Sequence, residues 1–206
     1  MPTTSQAIIK YISIGDSYTI GNGVSPFGRW PNVLVKNLNQ QGIEINLIAN
    51  PAISGFTVRD AIRLELPAVA QLKPDFVTVL IGANDSFSGN PASAYQNDLI
   101  ELLDKLQPIL TNPKNIVLIT IPDYTRSPAG LPYQAGNQSA IIEQYNQVIK
   151  EQAAQRGLMV ADIFPVSQTM ISAEDYIDDG LHPSAQGYAK WEKVIFPVVL
   201  ELLEAN

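Results

Sequence analysis

Short apolar runs alternate with longer amphipathic segments from one end of this chain to the other, and that alternation restricts the fold more than any other feature. Ile8–Ile14 reads as a first strand. After a Gly-containing loop, Pro31–Gln40 reads as a helix ended by Gly42, and Ile43–Ala49 as a second strand. Thr57 stands as N-cap of a helix running toward Leu72, which Pro67 breaks or kinks. Phe76–Ile81, nearly all apolar, predicts a strand buried on both faces. Ala92–Leu110 carries Leu99, Leu102, Leu103, Leu106 and Leu110 on one helical stripe. A fourth strand over Ile116–Ile121, a helix over Ser139–Arg156 closed by Gly157, and a fifth strand over Leu158–Ile163 follow. The last helix begins at Ser184, with Tyr188, Trp191, Ile195 and Val198 toward the core and a kink at Pro197. Five strands separated by helices make βαβ units, and those units predict a parallel sheet covered on both faces. No repeat or linker interrupts the pattern, so residues 1–206 are read as one domain.

Composition narrows what such a domain does. A net charge of −7 argues against nucleic acid as a partner, since phosphate backbones recruit Lys/Arg surfaces. With no cysteine there is no disulfide, thiolate chemistry or Cys-based metal site. Met1–Gln6 lacks the basic start of a secretory leader, and no stretch approaches the roughly 18 apolar residues of a membrane span. The expectation is a cytoplasmic protein.

In open parallel sheets ligands bind beyond the carboxyl ends of the strands. The loops there read Gly15-Asp16-Ser17-Tyr18, Asn50-Pro-Ala-Ile-Ser-Gly55, Gly82-Ala83-Asn84-Asp85, Pro122-Asp123-Tyr124 and Asp178-Asp179-Gly180-Leu181-His182-Pro183. Catalytic residue types thus collect on one edge of the sheet. His182 is the only histidine and the natural general base for a serine hydroxyl. Asp179, three residues earlier across a turn-forming glycine, can accept the Nδ1 proton, with Asp178 as the alternative partner. Ser17 follows a buried strand and precedes a Gly-rich stretch that leaves its side chain accessible. Asn84, Gly55 and the Ser17 N–H supply donors for an oxyanion. Around them Tyr18, Phe56, Phe87, Tyr124, Tyr133 and Leu181 are candidates to line an acyl or aryl pocket, and Asp123–Gly136 is long enough to cover it. Neither G-x-S-x-G, a dinucleotide fingerprint nor a P-loop is present.

Taken in order, Gly15-Asp-Ser-Tyr18, Gly55, Gly82-Ala-Asn84-Asp85 and Asp179-Gly-Leu-His182-Pro resemble the four blocks of the SGNH-hydrolase superfamily, the GDSL esterases and lipases. Tyr18 stands where the family name has Leu. The overall look is similar to the small bacterial, lysophospholipase-L1-like branch. The resemblance implies a three-layer α/β/α, flavodoxin-like fold with five parallel strands. It also implies a Ser17–His182–Asp179 triad, an oxyanion hole from Ser17, Gly55 and Asn84, and no metal or organic cofactor. The expected activity is hydrolysis of carboxylic (acyl or aryl) esters through an acyl-enzyme on Ser17. A carbohydrate O-acetylesterase is the enzymatic alternative, and a non-catalytic binding protein on the same fold is the alternative of another kind.

Overall fold

The computed structural model describes residues 7–205, so the expectation drawn from Met1–Gln6 lies outside the described residues. Strand β1 (Ile9–Gly15) leads directly into the short helix α1 (Ser17–Ile20), followed by α2 (Trp30–Gln40) and β2 (Ile45–Ala49). Next come α3 (Val58–Asp60), a π-helical turn (Ala61–Glu65), α4 (Leu66–Leu72) and β3 (Phe76–Leu80). Helices α5 (Ala83–Phe87) and α6 (Ala92–Leu106) precede β4 (Ile116–Ile119). Two 3-10 turns, Tyr124–Arg126 and Leu131–Gly136, lead to α7 (Gln138–Arg156), β5 (Met159–Ala161), α8 (Phe164–Gln168) and the C-terminal α9 (Ala185–Glu204).

All strand pairs are parallel and the order is β2-β1-β3-β4-β5. The chain winds outward in one direction from β1 to β2 and in the other from β3 onward. The order therefore reverses between β1 and β3, where an open α/β sheet has its natural crevice. Helices α2 and α9 pack on each other over one face, while α6, α7 and the α3–π-turn segment cover the other, giving three layers. Strand β3 is buried along its whole length, as its apolar run requires. The leucine stripe of α6 and the following turn is buried throughout. On α9 the core side is Tyr188, Trp191, Ile195 and Val199. Val198, expected in that stripe, is only partly buried, and Val199 takes the core position beyond Pro197, which lies inside the helix.

Two expected features take a specific local form. Thr57 is the N-cap, and its hydroxyl and backbone make a reciprocal capping box with Asp60. Pro67 neither ends nor sharply breaks the segment. A proline lacks an N–H and clashes with the preceding turn; the ladder absorbs it one turn earlier, where Leu66 N–H bonds Ala61 O in a π-helical register. The extra residue carries Glu65 into the interior.

Candidate active site

Ser17 opens α1 immediately beyond β1. Asp16 caps this turn, its carboxylate accepting the Tyr18 N–H at 3.0 Å. Among the described residues no acceptor takes the N–H of Ser17 itself, as expected for a first-turn donor. Ser17 is 7% exposed and lines a cavity of about 320 Å³. Asn84, in the first turn of α5 beyond β3, lines the same cavity. These two residues flank the point where strand order reverses.

Gly55 lies on the cavity wall between β2 and α3. Its φ of +85° requires glycine, whereas the space around a Cβ there is open. The loop is fastened to α1 by Asn50 Nδ2 donating to Thr19 O (2.9 Å) and Ser54 Oγ donating to Asn22 Oδ1 (2.7 Å). The Asn84 amide is aimed by its bond to Phe56 O (2.9 Å), leaving its other N–H only loosely engaged with Asp16 Oδ2 at 3.4 Å.

His182 and Asp179 share one tight loop. Ile177 N–H bonds His182 O, Gly180 (φ +68°) turns the chain, and Tyr176 pairs with Pro183 just before α9. Asp179 Oδ2 stands 2.6 Å from His182 Nδ1, while its Oδ1 accepts the N–H groups of Leu181 and His182. Burial raises the Asp179 carboxyl, but the His182 ring and the two backbone donors outweigh it and hold it below the usual carboxylate range. A proton on Nδ1 shared with Asp179 leaves Nε2 as the acceptor. Asp178 is exposed and has no part in this loop's hydrogen bonds. His182 lines the same cavity as Ser17, although among the described residues no hydrogen bond joins the two side chains. In unliganded sites such bonds are commonly long and tighten with substrate.

Of the expected lining residues, Tyr18, Phe87, Tyr124, Tyr133 and Leu181 face the cavity. Tyr18 is 5% exposed, and its ring backs His182 at 5.5 Å and Trp191 at 5.6 Å, so it braces the imidazole more than it offers surface. Phe87 is 57% exposed and packs edge-on against Tyr133 at 5.1 Å, with Tyr124 at 6.2 Å. Phe56 is the exception. Its side chain packs against the core outside the cavity lining, and only its carbonyl serves the site, by holding Asn84. The 123–136 segment is folded into its two 3-10 turns and tied by Ala129 N–H to Gly180 O and Gln134 Nε2 to Thr125 O. It forms a wall of the cavity, and Arg126 turns back to Asp123.

Sequence reading missed the rim residues Asn22, Ser54 and Ala129 and the acids under the site. Asp85 is buried with its carboxylate on Val58 N–H, tying the Asn84 loop to α3; burial pushes it up to about 6. Burial, with the Asp85 charge adding, pushes Asp16 up to about 7 against the bond from Tyr18. Asp16 and Asp85 were visible as motif letters, but nothing local revealed whom they would hold. Among the described residues no group of three His, Asp or Glu side chains is arranged to take a metal ion, and no helix is long and apolar enough to cross a membrane.

Comparison with known proteins identifies the family and the fold. The family model described as GDSL-like Lipase/Acylhydrolase matches residues 13–190. A multidomain esterase of Ruminococcus flavefaciens is 33% identical over 141 residues, covering 67% of this chain but only 17% of that protein's length. An arylesterase of Vibrio mimicus is 26% identical over 189 residues, covering 90% of this chain and 86% of the other. The fold matches the crystal structure of the lipase/acylhydrolase from Enterococcus faecalis with a TM-score of 0.76 at 24% identity, over 95% of this chain and 97% of that one. The chain belongs to the GDSL-like lipase/acylhydrolase (SGNH) family of carboxylic ester hydrolases.

Proposed function

We propose that residues 1–206 act as a single serine esterase domain in which Ser17 is the nucleophile, His182 the general base and Asp179 the group that orients it. Ser17 attacks the ester carbonyl as His182 Nε2 takes its proton. The carbonyl oxygen becomes an oxyanion, met by the N–H groups of Ser17 and Gly55 and the Asn84 amide. The C–O bond then breaks, and the alcohol leaves with the proton carried by His182. Water, deprotonated by the same imidazole, attacks the acyl-enzyme and releases the acid and free Ser17. Asp179 keeps the ring in the tautomer this cycle needs and stabilises the imidazolium that forms.

One observation carries the reading: Ser17, Gly55, Asn84 and His182 line a single cavity, and His182 is locked to Asp179 at 2.6 Å. The aromatic wall of Phe87, Tyr124 and Tyr133 favours an acyl or aryl ester of moderate size. A serine-directed fluorophosphonate tests the nucleophile, the expected result being adduct mass on the Ser17 peptide and loss of p-nitrophenyl ester hydrolysis. An active enzyme labelled elsewhere, with Ser17 unmodified, overturns the assignment. Hydrolysis of p-nitrophenyl esters from acetate to palmitate, beside acetylated sugars, fixes the acyl preference.

A further inference from the structure

Glu65 is a buried acid with no part in the cycle just described. It is 0% exposed on the π-helical turn, one of its oxygens accepts the Gly15 N–H at 3.1 Å, and the other has no hydrogen-bond partner. A buried carboxyl left half-satisfied is a poor choice for stability where an apolar side chain would fit the layer. What it holds gives the reason. The last pair between β1 and β2 is Ile12 with Ala49, so Gly15 lies past the end of β2, and its N–H takes the Glu65 side chain instead of a neighbouring strand. On its other side Gly15 is pressed so closely on Thr19 and the Leu80 carbonyl that a Cβ there would collide with both. Gly15 is thus gripped from two directions, two residues before Ser17.

We infer that Glu65 is a positioning residue for the nucleophile: through its bond to Gly15 it fixes the strand-to-helix corner from which Ser17 projects into the cavity. This inference rests on Ser17 being the nucleophile. The π-helical turn is part of the device, because the one extra residue beside Pro67 brings position 65 inward to the end of β1. The three-way convergence of β1, the π turn and β3 sets the direction of the Ser17 hydroxyl more rigidly than a free strand end would.

The test compares wild type, Glu65→Leu and Glu65→Gln on whichever p-nitrophenyl ester wild type turns over fastest. Glu65→Leu removes the acceptor and is expected to lower kcat by about 10–100-fold with KM nearly unchanged, as small misplacements of a reacting group do. Glu65→Gln keeps an acceptor for Gly15 N–H and is expected to recover most of that loss. Full kcat in Glu65→Leu, equal losses in both variants, or a loss confined to KM overturns the inference. A wild type that hydrolyses no ester refutes the esterase reading instead. Should Glu65→Leu fail to fold, amide exchange in the wild type decides: slow exchange at Gly15 supports the grip, and exchange at the rate of an exposed amide overturns it.

Discussion

Replacing Glu65 by Gln should make the protein markedly more resistant to alkaline destabilisation. Burial, with the nearby Asp16 charge adding and the Gly15 N–H opposing, pushes this carboxyl up to about 8, whereas it would ionise near 4.5 in the unfolded chain. Between those values the native state holds a proton that the unfolded state has released. Stability therefore falls as pH rises, and this contribution is complete only below the unfolded value. For that pair of values, the lost folding free energy between pH 5 and pH 9 is about 4 kcal/mol. Glu65→Gln does not titrate and escapes the loss. Denaturant unfolding of both proteins at pH 5 and pH 9 is the assay. The stability of the variant relative to wild type should rise by about 4 kcal/mol over that span, against typical total stabilities of roughly 5–15 kcal/mol. A relative change under about 1 kcal/mol would show that Glu65 does not enter the fold protonated, and the argument from its burial would fail.

Three further outcomes are expected of the site. Asn84→Ala should lower kcat by roughly 10²–10³-fold, the usual cost of one oxyanion donor; a change under about threefold removes Asn84 from the hole. Asp179→Asn should cost about 10³-fold or more in kcat while Asp178→Asn leaves it nearly intact, because only Asp179 holds His182; the reverse order would reassign the orienting group. Truncating the exposed aromatic pair, Phe87→Ala or Tyr133→Ala, should lower kcat/KM for longer or aryl acyl groups by about tenfold and spare acetate; equal losses across the ester series would place the acyl group elsewhere.

The alternation of strands and helices, the parallel sheet and the motif residues Ser17, Gly55, Asn84 and His182 at its rim were legible in the chain. Each is written in a local pattern: near-continuous apolar runs at β3 and β4, a leucine stripe on α6, and caps at Thr57 and Ser184. Boundaries moved by a residue or two, and the short helices α1, α5 and α8 went unread. A helix of four or five residues has no periodicity to detect and exists because a strand end, a cap and the layer above hold it.

Position in space was a different matter. Phe56 looked like a pocket aromatic, yet whether a side chain near a glycine faces a cavity or the core depends on the turn geometry, and here only its carbonyl reaches the site. Spacing across Gly180 favoured Asp179 but left Asp178 as an alternative; the loop closed by Ile177 and His182 brings Asp179 against the imidazole and leaves Asp178 in solvent.

By itself the sequence determined which chemistry is available and on which edge of the sheet it collects, since hydrophobic period and motif order are properties of neighbours along the chain. Only the tertiary structure decided that Ser17 and His182, 165 residues apart, share one cavity wall, and that a buried glutamate 50 residues from Gly15 grips it. Such contacts are set by how layers pack and where a π turn displaces a side chain, and no local window contains them.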